Sequence, residues 1–128
     1  MRILIVTPAP GRSRKGNGIT AQRWARLLRE IGHRVDIVQH YERQPCDLMI
    51  ALHARRSHKS IKRIHEERPE IPLILALTGT DLYGDIRSNV SAKLSLDIAA
   101  RLIVLQPLGI RELPKKLQSK TRVIYQSV

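Results

Sequence analysis

Aromatic residues are nearly absent from this sequence: no phenylalanine, one tryptophan (Trp24) and three tyrosines (Tyr41, Tyr83, Tyr125) in 128 residues. So few flat rings argue against recognition of RNA or single strands by base stacking. Cysteine occurs once, as Cys46. That excludes an internal disulfide and a cysteine-rich zinc site, and it fits a reducing cytoplasm. No apolar run approaches the ~18 residues of a membrane span, and the opening residues lack the apolar core of a signal peptide. The expectation is a soluble cytoplasmic protein with no membrane span. Acidic residues are also scarce, 11 against 23 lysines and arginines, for a formal charge of +12. Such a balance suits an anionic partner, whether nucleic acid, a phosphate-bearing small molecule or an acidic membrane surface, and does not choose among them.

Short aliphatic runs alternate with longer segments of helical period. The length fits one domain, able to bury roughly 65–70% of its unfolded surface. Ile3–Thr7 is a compact aliphatic run ended by Pro8 and Pro10, hence a buried strand. Residues 8–18, rich in Pro, Gly, Ser and Asn, read as a loop. Ile19, Trp24, Leu27, Leu28 and Ile31 then share one face of a helix stopped by Gly32. Further strands are expected at Arg34–Gln39, Asp47–Leu52, Leu73–Leu77, Leu102–Leu105 and Arg122–Tyr125. Helices are expected at Ser57–Arg68, with Ile61, Ile64 and His65 on one stripe, at Ser91–Ala100 and at Ile110–Leu117. This alternation predicts an α/β fold, a Rossmann-like doubly wound parallel sheet of about six strands with helices on both faces. A sheet ending on its last strand, without a capping helix, is expected of a domain cut at its boundary.

Open parallel sheets bind ligands at the carboxyl ends of their strands, where strand order reverses, so the loops after each strand hold the candidates. The first loop carries Arg12, Arg14, Lys15, Gly16, Asn17 and Gly18 ahead of a helix. Cations, flexible glycines and helix N–H groups together suit a phosphate. The spacing Gly11-x4-Gly16-x-Gly18 is neither a dinucleotide fingerprint nor a Walker motif. The third strand ends at His53, able to bind or titrate near neutral pH, followed by the possible anion grips Arg55 and Arg56. After the fourth strand come Thr78, Gly79, Thr80, Asp81 and Tyr83: two hydroxyls, a flexible glycine, a carboxylate and a phenol within six positions. Asp81 can accept a sugar hydroxyl or act as a base, and Thr78 and Thr80 can donate hydrogen bonds. The same residue types also build turns that satisfy only their own backbone. Gln106, after the fifth strand, is a weaker candidate, as is Gln126-Ser127 after the sixth.

The other histidines, His33, His40, His58 and His65, lack metal-ligand spacing, and neither a metal nor a cofactor is expected. There is no Gly-x-Ser-x-Gly elbow, and Cys46 follows a proline without an obvious base. Lys115, Lys116 and Lys120 read as a solvated helix face.

The opening strand, the glycine-containing loop and Leu28-Arg-Glu-Ile-Gly-His-Arg-Val35 resemble the start of retaining glycosyltransferases of the GT-B fold, family 4-like. Ala51-Leu-His-Ala54 resembles the His-Ala element after that family's third strand. Thr78-Gly-Thr-Asp81 resembles its His-Gly-x-Asp turn, with Thr78 where histidine is usual. Val123-Ile-Tyr-Gln-Ser-Val128 resembles the close of its N-terminal domain, with Gln126 and Ser127 replacing Asn and Gly. Ala51–Ser57, Ala76–Tyr83 and Val104–Leu108 look closest to the selenosugar synthases of selenoneine biosynthesis, which join a nucleotide sugar to selenophosphate.

The resemblance implies one half of a GT-B architecture, the acceptor side, with the donor-binding C-terminal domain absent and no complete reaction in this chain alone. Its ligands would be a nucleotide-sugar donor and a small anionic or hydroxyl acceptor. Gly16 and Gly18 would line the donor phosphates, Thr78–Asp81 would face the transferred sugar, and Thr78 puts carry-over of a catalytic histidine in doubt.

A competing reading takes the charge at face value: a basic α/β module binding nucleic acid or another polyanion through Arg23, Arg26, Arg29, Lys62 and Arg63. Scarce aromatics and the lack of a helix-turn-helix, KH or RRM signature argue against nucleic acid. A receiver-like regulatory domain is a third reading, but it lacks the acidic cluster a receiver needs after its first strand.

Overall fold

The computed structural model describes residues 1–8, 16–77 and 85–124. Six strands form one all-parallel sheet: β1 (Arg2–Val6), β2 (Arg34–Val38), β3 (Leu48–Leu52), β4 (Leu73–Leu77), β5 (Arg101–Val104) and β6 (Thr121–Val123). The order is β2-β1-β3-β4-β5-β6. After β1 the chain steps one way to β2; from β3 onward it steps the other way. The order therefore switches between β1 and β3. This is the Rossmann-like doubly wound arrangement expected of buried aliphatic strands.

The same stepping distributes the helices. Crossovers between parallel strands are right-handed, so reversing the direction of travel moves the connecting helix to the opposite face. α1 (Gly16–Glu30) covers one face. α2 (His58–Glu67) and α4 (Val90–Ile98) cover the other. Between β4 and α4 lies a single turn, α3 (Ile86–Ser88), and after β5 come a 3-10 helix (Pro107–Glu112) and a short α5 (Lys115–Gln118). The larger core joins Leu4, Met49, Leu75, Leu102 and Val104 to Ile61 and Ile64 of α2 and Leu96 of α4, all buried. Each such aliphatic side chain contributes roughly 1.5–3 kcal/mol on leaving water. The second core joins Ile3, Ile5 and Val35 to Ala21 and Ala25 of α1.

Several boundaries depart from the sequence expectation. α1 begins at Gly16 rather than Ile19, so Gly16, Asn17 and Gly18 form its first turn, with Gly18 buried. Its end is as expected: Gly32 adopts φ +100, its N–H donates to Arg29 O, and the His33 N–H donates to Leu28 O. This pair of bonds is the Schellman closure, which needs a left-handed residue where glycine sits. Of the α2 stripe, Ile61 and Ile64 are buried and His65 is exposed. α4 starts a residue earlier than expected because Asn89 caps it, its Oδ1 accepting from the Ala92 N–H at 2.9 Å. The helix expected at Ile110–Leu117 is two pieces, because Pro114 holds Leu113 extended (ψ 148). β6 ends at Val123, short of the expected Tyr125, which lies outside the described residues. Lys120 is not on a solvated helix face: its Nζ donates to Leu96 O (2.8 Å) and Ala99 O (2.7 Å), closing the end of α4.

Candidate functional site

The switch in strand order places the carboxyl ends of β1 and β3 side by side, with Ile5 beside Ile50 and Val6 beside Ala51. The amino end of α1 and the turn that follows β3 flank this position. Both segments were singled out by residue type in the sequence, and topology now makes them neighbours at the crevice where doubly wound sheets take ligands.

The β3 turn is tightly built. His53 is only 3% exposed and adopts φ +78, in the left-handed region that a non-glycine residue rarely occupies. Its N–H donates to Ala76 O of β4 at 3.1 Å. The Ser57 hydroxyl donates back to Leu52 O at 2.6 Å, and the Ser57 N–H donates to His53 O. Ala54 is fully buried, and its carbonyl accepts from the Ser95 hydroxyl of α4 at 2.8 Å. The Ala-Leu-His-Ala-Arg-Arg-Ser segment thus folds back on itself and turns directly into α2. Strained backbone held by this many bonds is what ligand-contacting turns commonly show.

The ring of His53 has a defined orientation. Its Nδ1 accepts from the Arg56 N–H at 3.1 Å. In the neutral imidazole that leaves the proton on Nε2. Nε2 points toward Asp85, whose Oδ2 is 3.9 Å away, and the same oxygen accepts from Arg55 Nε at 2.9 Å. The cluster therefore holds an N–H donor, a guanidinium and the carboxylate that aims the guanidinium. Two donors of this kind suit the oxygen atoms of a phosphate-like or carboxylate group, or a sugar hydroxyl.

Of the residues expected at the site, His53, Arg55 and Arg56 come together in this turn, Arg56 through its main chain with an exposed side chain. Gly16, Asn17 and Gly18 open α1 at the neighbouring strand end. Gln106 is exposed at the end of β5, two strands from β3. Arg14, Lys15, Thr78, Gly79, Thr80, Asp81 and Tyr83 lie outside the described residues.

Sequence reasoning missed Asp85. It lies 30 positions from Arg55, and its role arises only because the fold brings the residue before α3 to the β3 turn. The one signal available was its place four residues after Asp81, at the start of a helical turn.

His58 was given no role by its sequence spacing. Instead its Nδ1 lies 2.8 Å from Ser95 Oγ. Burial first, then the charge of Lys62, holds its pKa below the ordinary value near 6.5. A separate cavity of about 600 Å³ opens at the amino ends of the strands, lined by Arg2, Arg34, Cys46, Asp47 and Arg68. Burial pushes the Cys46 thiol upward in pKa. It is therefore protonated near neutrality and a poor nucleophile. Among the described residues, no three His, Cys, Asp or Glu side chains gather as a metal site would require.

No protein-family model matches this sequence, and no curated protein matches it. No helix among the described residues is long and apolar enough to cross a membrane.

Proposed function

We propose that this chain is the N-terminal, acceptor-side domain of a GT-B-type glycosyltransferase, working with a donor-binding domain to transfer a sugar from a nucleotide sugar to a small oxyanion acceptor. Selenophosphate is the acceptor suggested by the resemblance of Ala51–Ser57, Ala76–Tyr83 and Val104–Leu108 to selenosugar synthases. The observation that carries the reading is the strained His53 turn at the strand-order switch, where Nε2 and the Arg55 guanidinium both lie against the Asp85 carboxylate. A donor N–H and a guanidinium there suit an anionic acceptor, and the basic charge of the chain would raise its local concentration. In this reading His53 and Arg55 bind and orient the acceptor. The Thr78–Asp81 segment would face the sugar, and the first turn of α1 would face the donor phosphates. The chain by itself would bind the acceptor without completing transfer.

A second reading rests on one surface: Arg23, Arg26 and Arg29 line a shallow cleft on the solvent side of α1, as a polyanion-binding helix would.

One titration separates the two. Backbone amide shifts of the chain are followed with inorganic phosphate, selenophosphate, a UDP-sugar and a short DNA duplex. The glycosyltransferase reading expects selenophosphate and phosphate to move amides of residues 16–18, 53–56 and 85. Silence there, with DNA moving Arg23, Arg26 and Lys62 and its effect collapsing in added salt, would overturn it in favour of the polyanion reading.

A further inference from the structure

The cavity at the amino ends of the strands is separated from the His53 turn by a strand length, roughly 16 Å. Its charge is assembled from three separate segments. Arg2 opens β1, Arg34 opens β2, and Arg68 is the residue that ends α2. Cys46 and Asp47 come from the residues just ahead of β3.

Strand alternation decides where these side chains emerge. Ile3, Ile5 and Val35 lie in the core under α1, whereas Leu4 and Val38 pack toward α2. Side chains an even number of positions apart share a face, so Arg2 and Arg34 leave the sheet on the α2 side, where Arg68 closes that helix. In the parallel register Arg2 is the direct partner of Arg34. Neighbouring strands lie about 4.8 Å apart, so two exposed guanidinium stems start side by side. Like charges so placed repel each other.

The nearby acidic groups are committed elsewhere. The Asp47 carboxylate accepts the Arg2 main-chain N–H at 2.8 Å, and the Asp47 N–H donates to Arg2 O. Glu70 pairs with Arg68 at 2.6 Å. Among the described residues, neither the Arg2 nor the Arg34 guanidinium takes part in an ion pair or a hydrogen bond. The cavity therefore presents two adjacent, unmatched guanidinium groups, with Arg68 beside them.

That charge pattern selects a class of ligand. A single carboxylate offsets one guanidinium and leaves the other unmatched. A phosphate monoester carries nearly two charges at neutral pH and has three acceptor oxygens, so it can take N–H groups from both arginine forks. A volume of about 600 Å³ is in the range of small-molecule sites and leaves room for an organic body beyond the phosphate, against Pro45 and Cys46. A recess between strand ends and a helix end admits a terminal phosphate, whereas a duplex is gripped along an extended basic stripe.

We propose that this cavity is a second anion site, in which Arg2 and Arg34 hold the phosphate of a small organic phosphate monoester and Arg68 flanks it. The site uses none of the residues of the His53 turn, so it stands apart from the glycosyltransferase reading and survives its failure.

Cys46 is the only cysteine and lines the cavity, so its accessibility reports occupancy. The readout is the rate of its alkylation by uncharged iodoacetamide at mildly alkaline pH, where the thiolate is populated. Phenyl phosphate should slow this rate saturably, and amide shifts at residues 2, 34, 46, 47 and 68 should follow the same curve. Benzoate, with the same ring and one charge, should need about tenfold more ligand for equal protection. The variant R2Q/R34Q, altered only at exposed positions, should lose about tenfold in affinity at these residues while any shifts at 53–56 persist. Absent protection, equal protection by benzoate, or unchanged protection in R2Q/R34Q each overturns the proposal. So does a short DNA duplex that protects Cys46 at lower concentration than phenyl phosphate, since that would assign the arginines to a polyanion. Shifts at 53–56 alone would sink this site and leave the crevice reading standing; shifts at the amino-end residues alone would do the reverse.

Discussion

His53 Nε2 and Asp85 Oδ2 face each other across 3.9 Å, beyond the span of a hydrogen bond, while the same oxygen accepts from Arg55 at 2.9 Å. Asp85 therefore acts first on Arg55, aiming it and offsetting its charge. Removing the carboxylate while keeping its shape makes the neighbourhood more positive. D85N is expected to bind inorganic phosphate about 3- to 10-fold more tightly, and R55A to bind it more weakly by a similar factor, as losing about one exposed charge pair implies. Isothermal titration of both variants checks this; unchanged affinity in both would place the anion elsewhere.

The backbone at His53 makes a different demand. Histidine, asparagine and aspartate tolerate the left-handed region better than other non-glycine residues, and β-branched residues tolerate it least. H53N should therefore keep stability within about 1 kcal/mol, because its side-chain oxygen can also accept from the Arg56 N–H. H53V should lose about 2–3 kcal/mol, from strain and from the unsatisfied Arg56 N–H. Urea midpoints at constant slope would show this. Equal losses would mean that the ring, not the backbone, sets the choice of residue.

A third prediction concerns pH. The Ser95 hydroxyl lies within hydrogen-bond reach of Ala54 O, Ser91 O and the half-buried His58 Nδ1, so the His58 ring is held in the protein's interior. Burial lowers the folded-state pKa of His58, so the unfolded chain binds this proton more readily. The neutral ring's stability is fully present above the ordinary value near 6.5. It falls as pH drops from there through the lowered folded value and levels off below it. The melting temperature of wild type should decline over that window more steeply than that of H58Q. Parallel curves would show that His58 does not carry the dependence.

How far the sequence foretold this molecule follows from what each signal reports. Strands in the middle of a parallel sheet are unbroken aliphatic runs, so Ile3–Val6, Leu48–Leu52 and Leu73–Leu77 stand out without a partner in view. Gly32 and its Schellman closure are equally local. The start of α1 was not legible, because Gly16 and Gly18 lower helix propensity and packing, which a local reading does not see, overrides it. The His53 turn could be picked out as residues at a strand end, yet its left-handed backbone, buried ring and link to Asp85 depend on β4 and α3. The placing of α1 alone on its face among the described residues was likewise hidden, because it follows from strand order and the handedness of the crossovers.

Lys120 tests whether a lysine that reads as surface charge is structural. Its Nζ bonds to Leu96 O and Ala99 O, carbonyls at the end of α4 that have no later helical N–H to receive. Burial lowers its pKa, consistent with an ammonium held against the protein rather than in water. A cation at a helix C-terminus also meets the negative end of the helix dipole. K120M, which keeps the chain's bulk and removes the donors, should cost about 1–2 kcal/mol. K116M, at an exposed position of α5, should cost under about 0.5 kcal/mol. Chemical denaturation of the two variants separates them, and equal midpoints would mean that water satisfies those carbonyls as well as the ammonium does.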